Sequence, residues 1–186
     1  MNDRQTNAFN NLLVFKNILF SLKVIFWVDG GTLLGFYREG NFPEDDEDDI
    51  DLGCWDNNLT KRQEIIDRCL EAGFSIYHTW EKQIAFKKDD LKIDLFFHGK
   101  HKNNAFHFLY KGNKGIPAIV PLKYFSLLKP FTLKGENFFI PRETESYLEF
   151  KYGDWKKPIH RKDYAKEGGC YNPLQNKVLK PNYIFD

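Results

Sequence analysis

Cysteine pairs and a strong net charge are both missing from this sequence. Its three cysteines, Cys54, Cys69 and Cys170, contain no Cys-x-x-Cys pair, so the sequence indicates neither a disulfide framework nor a zinc knuckle. A net charge of +1 argues against a protein that binds nucleic acid through a broad basic field. We therefore expect a protein of a reducing compartment that has no nucleic-acid partner.

A membrane-spanning run is missing too. The apolar stretch from Leu12 to Val28 is interrupted by Lys16 and Lys23, well before the ~20 apolar residues that a spanning helix needs. It also lacks the basic start and the small-residue cleavage site of a signal peptide. We expect a cytoplasmic protein with one domain over residues 1–186, in which a core from about residue 8 to 158 precedes a C-terminal coil at 159–186.

Short periodic segments are what the sequence does contain. They predict helices at residues 5–22, 32–37, 60–72, 121–128 and 143–152. They predict strands at residues 24–28, 50–55, 74–79, 83–88, 91–97, 105–110 and 115–120, and a hairpin at 131–140. Thr60 to Gln63 is typical of a capping box that opens the third helix. Strands 74–79, 83–88 and 91–97 have tight links, which indicates an antiparallel meander.

An acidic pair starts the second strand. Side chains two residues apart on a strand point the same way, so Asp49 and Asp51 project from one face and Ile50 points into the core. Parallel carboxylates repel each other unless a cation lies between them. Glu47 continues the same period of two, as an outer metal ligand or as a solvated loop acid. The pattern predicts a divalent metal site.

Asp94 is a lone acid in the apolar strand "LKIDLFF". A buried, unpaired carboxylate is costly. Asp94 is therefore either a third ligand of the same site or a core acid that forms a salt bridge with a lysine or arginine. We favour the first interpretation, in which Asp49, Asp51 and Asp94 converge on one point.

The turn Gly30-Gly31-Thr32 follows the first buried strand and opens a helix. Backbone N–H groups at such a helix start suit an anion. We expect Gly31 and Thr32 to face the three carboxylates across a cleft. Strand, Gly-Gly-Thr turn, helix, Asp-x-Asp and a later Asp is a layout similar to the nucleotidyltransferase fold, which implies an α+β domain with a mixed sheet flanked by helices.

A narrower resemblance comes from longer motifs. The stretch "GGTLLGFYREG", followed by Pro43 and "DIDLG", resembles the LicD family, which includes bacterial phosphocholine transferases and is related to the fukutin proteins. The later "IPRETESYLEFKYGDWKKP" resembles the closing motif of that family. Glu44 departs from the family pattern, and Glu47 stands where the family normally has Asp.

The resemblance implies a metal-dependent transferase that moves a phospho-alcohol, such as phosphocholine, from a CDP-activated donor to a sugar hydroxyl of a cell-surface glycan such as lipopolysaccharide. Mg²⁺, with Mn²⁺ as an alternative, would be held by Asp49, Asp51, Asp94 and Glu47. Asp94 would bind metal or take the acceptor proton. Gly30, Gly31, Thr32 and Arg38 would bind the substrate phosphates.

Two rival functions stay open at this point. A nucleotidyltransferase proper would move a nucleoside monophosphate from a nucleoside triphosphate to its acceptor and would share the aspartates. A noncatalytic Ca²⁺ module is the second rival, although the acidic run lacks the glycine and the glutamate of an EF-hand loop.

Other residues are assigned by their most common role. We expect His98, His101 and His107 to be exposed loop residues rather than zinc ligands. Aromatic residues such as Trp55, Trp80 and Phe106 can stack a cytosine or enclose a quaternary ammonium, but at strand spacing they are more often core residues. Five basic residues favour either a peripheral contact with the inner face of the membrane or a solvated tail: Lys156, Lys157, His160, Arg161 and Lys162.

Overall fold

The computed structural model describes residues 3–43, 48–111 and 114–158. Its helices are α1 (Asp3–Ser21), α2 (Gly30–Glu39), α3 (Arg62–Glu71), α4 (Lys123–Ser126) and α5 (Thr144–Tyr152), with a 3₁₀ helix at Asp56–Lys61. Its strands are β1 (Phe26–Val28), β2 (Asp49–Trp55), β3 (Ser75–Trp80), β4 (Gln83–Lys88), β5 (Leu91–His101), β6 (Asn104–Lys111), β7 (Lys114–Pro121), β8 (Leu128–Leu133) and β9 (Glu136–Pro141).

A seven-stranded mixed sheet organises the domain. Strands β1, β2, β5, β4 and β3 lie side by side in that order, and the far half of β5 pairs with β6, which pairs with β7. Only β2 and β5 run parallel within the described sheet, while the other pairs are antiparallel. Strands β8 and β9 form a separate hairpin. The predicted α+β class, the mixed sheet and the single domain are confirmed.

The core lies between this sheet and the helices, and aromatic rings fill much of it. Phe15 of α1 is fully buried and packs against Phe74 and Phe86, with ring centroids 5.9 and 5.5 Å apart. Such offset pairs add packing energy to the burial of apolar area. The core therefore fixes α1 on the sheet face behind β4 and β5.

The boundaries of several elements differ from the sequence prediction. Strand β1 begins at Phe26 rather than at residue 24, because Lys23 adopts a left-handed conformation (φ 55°) that ends the turn after α1. The prediction of a capping box at Thr60 is wrong. Thr60 lies in the 3₁₀ helix and its hydroxyl donates to the carbonyl of Asn57, whereas α3 starts at Arg62. The turn between β4 and β5 is confirmed, with Asp89 and Asp90 both at positive φ.

None of the helices within residues 3–158 is both long enough and apolar enough to cross a lipid bilayer. The predicted C-terminal coil at 159–186 lies outside the described residues, as do Glu44 and Glu47. The basic residues His160, Arg161 and Lys162 lie outside them as well.

Candidate active site

Three carboxylates meet where β2 and β5 run side by side. The parallel register places Asp51 opposite Asp94, and Asp49 projects from the same face of β2 two residues earlier. One ligand atom from each of the three carboxylates lies within 4.8 Å of the others. The predicted convergence of Asp49, Asp51 and Asp94 is confirmed.

Lys92 lies among these carboxylates. Its Nζ is 3.0 Å from Asp49 Oδ1 and 2.9 Å from Asp94 Oδ2, so one ammonium bridges two of the three acids. Gln83 on β4 donates its amide to the other oxygen of Asp94 at 2.9 Å. The salt bridge that we held as the alternative for Asp94 is thus present together with the three-carboxylate cluster.

The glycine turn contacts Asp51 directly. The amide of Gly31 donates to Asp51 Oδ2 at 3.0 Å, and the hydroxyl of Thr32 accepts from the amide of Asp51 at 2.9 Å. Gly30 has a φ of +59°, and a Cβ there would come within 1.8 Å of Asp51 Oδ2. The expectation that this turn faces the carboxylates across a cleft is wrong, because the two are in contact. Asp29 and not Gly31 precedes the helix, as the N-cap of α2.

The electrostatics of the cluster favour a cation. Burial raises the pKa of Asp51 well above its ordinary value, and repulsion from Asp49 and Asp94 raises it further. Burial also raises the pKa of Asp94, and Lys92 offsets only part of that increase. Burial alone would lower the pKa of Lys92, but the negative charges of Asp94 and Asp49 have the larger effect and raise that pKa. Carboxylates in this arrangement are the hard oxygen donors that Mg²⁺ and Mn²⁺ prefer, so the residues fit such an ion.

A pocket of about 260 Å³ opens onto the carboxylates, and its other wall is aromatic. The rings of Trp80 and Tyr110 stack in parallel, 4.7 Å apart with an interplanar angle of 3°, and His78 stacks on Trp80 at 4.4 Å. Tyr77 on the same edge strand is 46% exposed, so it is not a core residue. Exposed aromatic residues of this kind often mark a binding surface. Five aromatic residues line the pocket: Tyr77, His78, Trp80, Phe96 and Tyr110.

The sequence left two roles open for Trp80, a core residue or a residue that stacks on a ligand, and the structure places it on the pocket wall. Sequence reasoning did not identify His78 or Tyr110 as pocket residues. Strand β3 lies at the edge of the sheet, where both faces of the strand are accessible, and its exposure cannot be seen in a pattern of apolar residues. Trp55 and Phe106, by contrast, pack into or against the core as expected.

A second polar cluster lies buried behind the glycine turn. Asp29 accepts hydrogen bonds from the amide of Gly30 at 2.7 Å, from the hydroxyl of Tyr147 and from Lys151 Nζ at 3.3 Å. The closing helix α5 is therefore tied to the N-terminus of α2. Burial alone would raise the pKa of Asp29, but the charge of Lys151 and its other polar neighbours hold that pKa well below its usual range.

The interpretation of the three histidines as exposed loop residues is wrong, because His98 and His101 lie on β5, His107 lies on β6, and His101 is only partly exposed. His98 is fully buried and His107 is 4% exposed, with ring centroids 4.6 Å apart, because both lie on inner positions of β5 and β6. His98 Nε2 is 3.6 Å from Asp29 Oδ2. Burial lowers the pKa of His98 to about 4, so the ring is neutral at pH 7. The apolar neighbours of these two histidines, in "LFFHG" and "AFHFL", are the sequence signal that could have predicted their burial.

Arg38 contacts the closing motif. Its Nη1 donates to the carbonyl of Trp155 at 3.1 Å, and it forms an ion pair with Glu39. The ring of Trp155 packs on Tyr37, with centroids 5.7 Å apart. The phosphate contact assigned to Arg38 stays a prediction. The ligand role of Glu47 also stays a prediction, since Glu47 lies outside the described residues.

The sequence matches several known proteins. It is 31% identical over 157 residues to Ribitol-5-phosphate transferase FKTN from Macaca fascicularis, and 31% identical over 157 residues to the Homo sapiens protein of the same name. Each alignment covers 78% of this chain and 32% of the relative, so the chain spans about a third of the length of the curated relatives it matches.

The fold matches a solved crystal structure. The crystal structure of ANT(2'')-Ia in complex with adenylyl-2''-tobramycin superposes with a TM-score of 0.54, covering 96% of this chain and 92% of that one at 12% identity. A likeness at this identity concerns the fold alone. The sequence profile described as "LicD/FKTN/FKRP, nucleotidyltransferase domain" matches residues 23–143, which is more than half of the chain. The chain belongs to the LicD/FKTN/FKRP family and carries its nucleotidyltransferase domain.

Proposed function

We propose that this protein is a metal-dependent transferase that moves a phospho-alcohol from a CDP-activated donor to a sugar hydroxyl of a glycan. The observation that carries the proposal is the cluster of Asp49, Asp51 and Asp94 within 4.8 Å at the base of a pocket. Membership of a family whose curated relatives are named ribitol-5-phosphate transferases supports this reaction class.

Asp49, Asp51 and Asp94 would hold the metal ion. When bound, Mg²⁺ or Mn²⁺ would supply positive charge to neutralise the diphosphate of the donor and to make CMP a better leaving group. Gly31 restrains Asp51 through its 3.0 Å hydrogen bond, so the carboxylate is oriented before any ion binds.

Asp94 is the residue that we assign to the acceptor. Gln83 holds one of its oxygens at 2.9 Å. The second oxygen, which the ammonium of Lys92 contacts at 2.9 Å, is the one that would bind metal or receive the proton of the attacking hydroxyl. Burial raises the pKa of this carboxyl group, and a raised pKa makes a carboxylate a stronger base near neutral pH.

The aromatic wall is our assignment for the cytosine of the donor. A nucleobase adds to a parallel stack of flat rings, and such stacking is worth about 1–3 kcal/mol per base. A quaternary ammonium instead needs rings that enclose it from several sides. The rings of Trp80 and Tyr110 are parallel to within 3°, which favours the base over the ammonium.

A panel of donors tests this proposal. Thermal unfolding would be followed with Mg²⁺ and CDP-ribitol, CDP-choline, CDP-glycerol or CDP-ethanolamine, and with CTP and ATP as controls. A cognate donor at a hundredfold excess over its Kd should stabilise the fold by about 3 kcal/mol. Trp80→Ala should weaken the binding of all CDP donors to the same extent, because these donors share the cytosine base. Stabilisation by ATP and CTP but by none of the CDP-alcohols would favour a nucleotidyltransferase proper.

The cytoplasmic location and the contact with the inner face of the membrane stay predictions. Lys156 and Lys157 are exposed at the end of the described residues, after the closing motif. A basic surface there would bring the active site near a membrane-linked glycan acceptor.

A further inference from the structure

The ammonium group of Lys92 lies between two carboxylates of the candidate metal site. It lies on β5 two residues before Asp94, so both side chains project from the same face. Its ammonium contacts Asp49 at 3.0 Å and Asp94 at 2.9 Å, using one oxygen of each. Its side chain is 27% exposed and lines the pocket, so the contact is reachable from the substrate side.

The charges of the site do not call for two divalent ions. The three carboxylates that the structure describes at the site carry a formal charge of −3, and the ammonium of Lys92 reduces it to −2. One divalent ion neutralises that remainder, whereas two would leave the site with an excess of positive charge before the donor binds. Buried sites in which charge is not compensated are costly.

Lys151 also contributes its positive charge to the carboxylate site, but from the buried cluster behind it. Its Nζ is held by Asp29 at 3.3 Å and by the hydroxyl of Tyr147 at 3.4 Å, in the cluster behind the glycine turn. Lys92, by contrast, forms ion pairs with two of the three carboxylates.

We propose that the ammonium of Lys92 is a resident cation of the tricarboxylate site, so that each chain binds one divalent ion and Lys92 competes with that ion for Asp49 and Asp94. The inference rests on the proposed metal dependence and adds the number of ions and the residue that sets it. Lys92 is thus a positioning and specificity residue that limits metal binding.

Titration of the metal-free full chain with Mn²⁺ tests this, with free Mn²⁺ counted from its electron paramagnetic resonance signal. The wild type should bind one Mn²⁺ per chain. Lys92→Met keeps the length of the side chain but removes its charge and its competition. We expect it to bind Mn²⁺ at least about tenfold more tightly or to bind a second ion.

Two further variants complete the design. Lys92→Arg keeps the charge and should bind one ion with an affinity close to that of the wild type. Lys100→Met removes an exposed charge from the same strand, where Lys100 lies over the ring of Trp55 at 4.0 Å. This variant should bind Mn²⁺ with the affinity and the number of ions of the wild type. This control separates a local effect from a change in net charge.

Two Mn²⁺ ions on the wild type would overturn the inference, and this result does not depend on whether any variant folds. Unchanged or weaker Mn²⁺ binding by a folded Lys92→Met would overturn it too, since Lys92 would then be an ordinary structural salt-bridge partner. Both results leave the proposed transferase function standing. Absence of any Mn²⁺ binding would overturn the inference and the metal dependence of the proposed function together.

Discussion

The backbone amide of Gly31 donates a hydrogen bond to Asp51 Oδ2 at 3.0 Å, across 20 residues of sequence. Asp29 adds a second link, because its amide donates to the carbonyl of Asp51 at 3.0 Å. The glycine turn and the acidic strand are therefore one structural unit. The turn shapes the position of the carboxylate, and the missing side chain at Gly30 makes room for it.

Gly30→Ala should disrupt this unit. Gly30 and Gly40 both adopt a left-handed backbone, with φ of +59° and +65°, so an alanine at either position costs about 1–2 kcal/mol of conformational strain. Only at Gly30 would the new Cβ collide with Asp51, since nothing lies within 4 Å of the Gly40 position. Gly40→Ala is thus the matched control in thermal unfolding and Mn²⁺ binding. Equal losses in the two variants would show that the close approach of Gly30 to Asp51 is unimportant.

Asp51→Asn should stabilise the metal-free protein while removing metal binding. The amide oxygen can still accept from Gly31, but the repulsion from Asp49 and Asp94 that raises the pKa of Asp51 disappears. We therefore expect the metal-free variant to have a higher free energy of unfolding than the metal-free wild type. Asp90→Asn, in an exposed turn, is the control. If Asp51→Asn retained Mn²⁺ binding and near-full turnover, Asp51 would not be a metal ligand.

The stability of the fold should fall between about pH 6.5 and pH 4 because of His98. Its pKa is about 4 in the folded protein and about 6.5 when exposed, so the unfolded chain takes up a proton first as the pH falls. Protonation of His98 in the unfolded chain costs no stability above pH 6.5, and near pH 4 it lowers the free energy of unfolding by roughly 2–4 kcal/mol. His98→Gln should therefore show a shallower loss of stability over this range in urea titrations. His78→Gln, on an exposed strand, should keep the wild-type slope, and identical slopes for all three proteins would contradict the assignment.

Trp155→Ala should separate transfer from hydrolysis. Trp155 packs on Tyr37, and its carbonyl holds Arg38. If this segment screens the donor from water, the substitution lowers transfer to a glycan and leaves the slow release of CMP unchanged or faster. CMP would be measured with and without acceptor in both proteins. Equal loss of both rates would mark Trp155 as a folding residue.

The carboxylate cluster could be predicted because strand alternation is a local property. The spacing of Asp49 and Asp51 fixed their common face, and the lone acid in "LKIDLFF" marked the third member. The parallel pairing that places Asp51 beside Asp94 joins segments 43 residues apart in sequence, and only the motif order of the family indicated it.

Other features needed tertiary information. His98 and His107 are buried because β5 continues into a second pairing with β6, which a short strand prediction ending at residue 97 did not include. Trp80 lines a pocket because β3 lies at the sheet edge. Lys92 was seen only as the unnamed partner of a possible salt bridge, since its reach to Asp49 depends on the pairing of β2 with β5.

The most direct test of the account identifies the products of the reaction. The protein would be incubated with Mg²⁺, a glycan acceptor and either a CDP-alcohol or a nucleoside triphosphate, and released nucleotides would be separated by chromatography. The account predicts CMP from the CDP-alcohol, dependent on Mg²⁺ and accelerated by the acceptor, and loss of this CMP in Asp94→Asn. Pyrophosphate from the triphosphate, with no CMP from any CDP-alcohol, would contradict it.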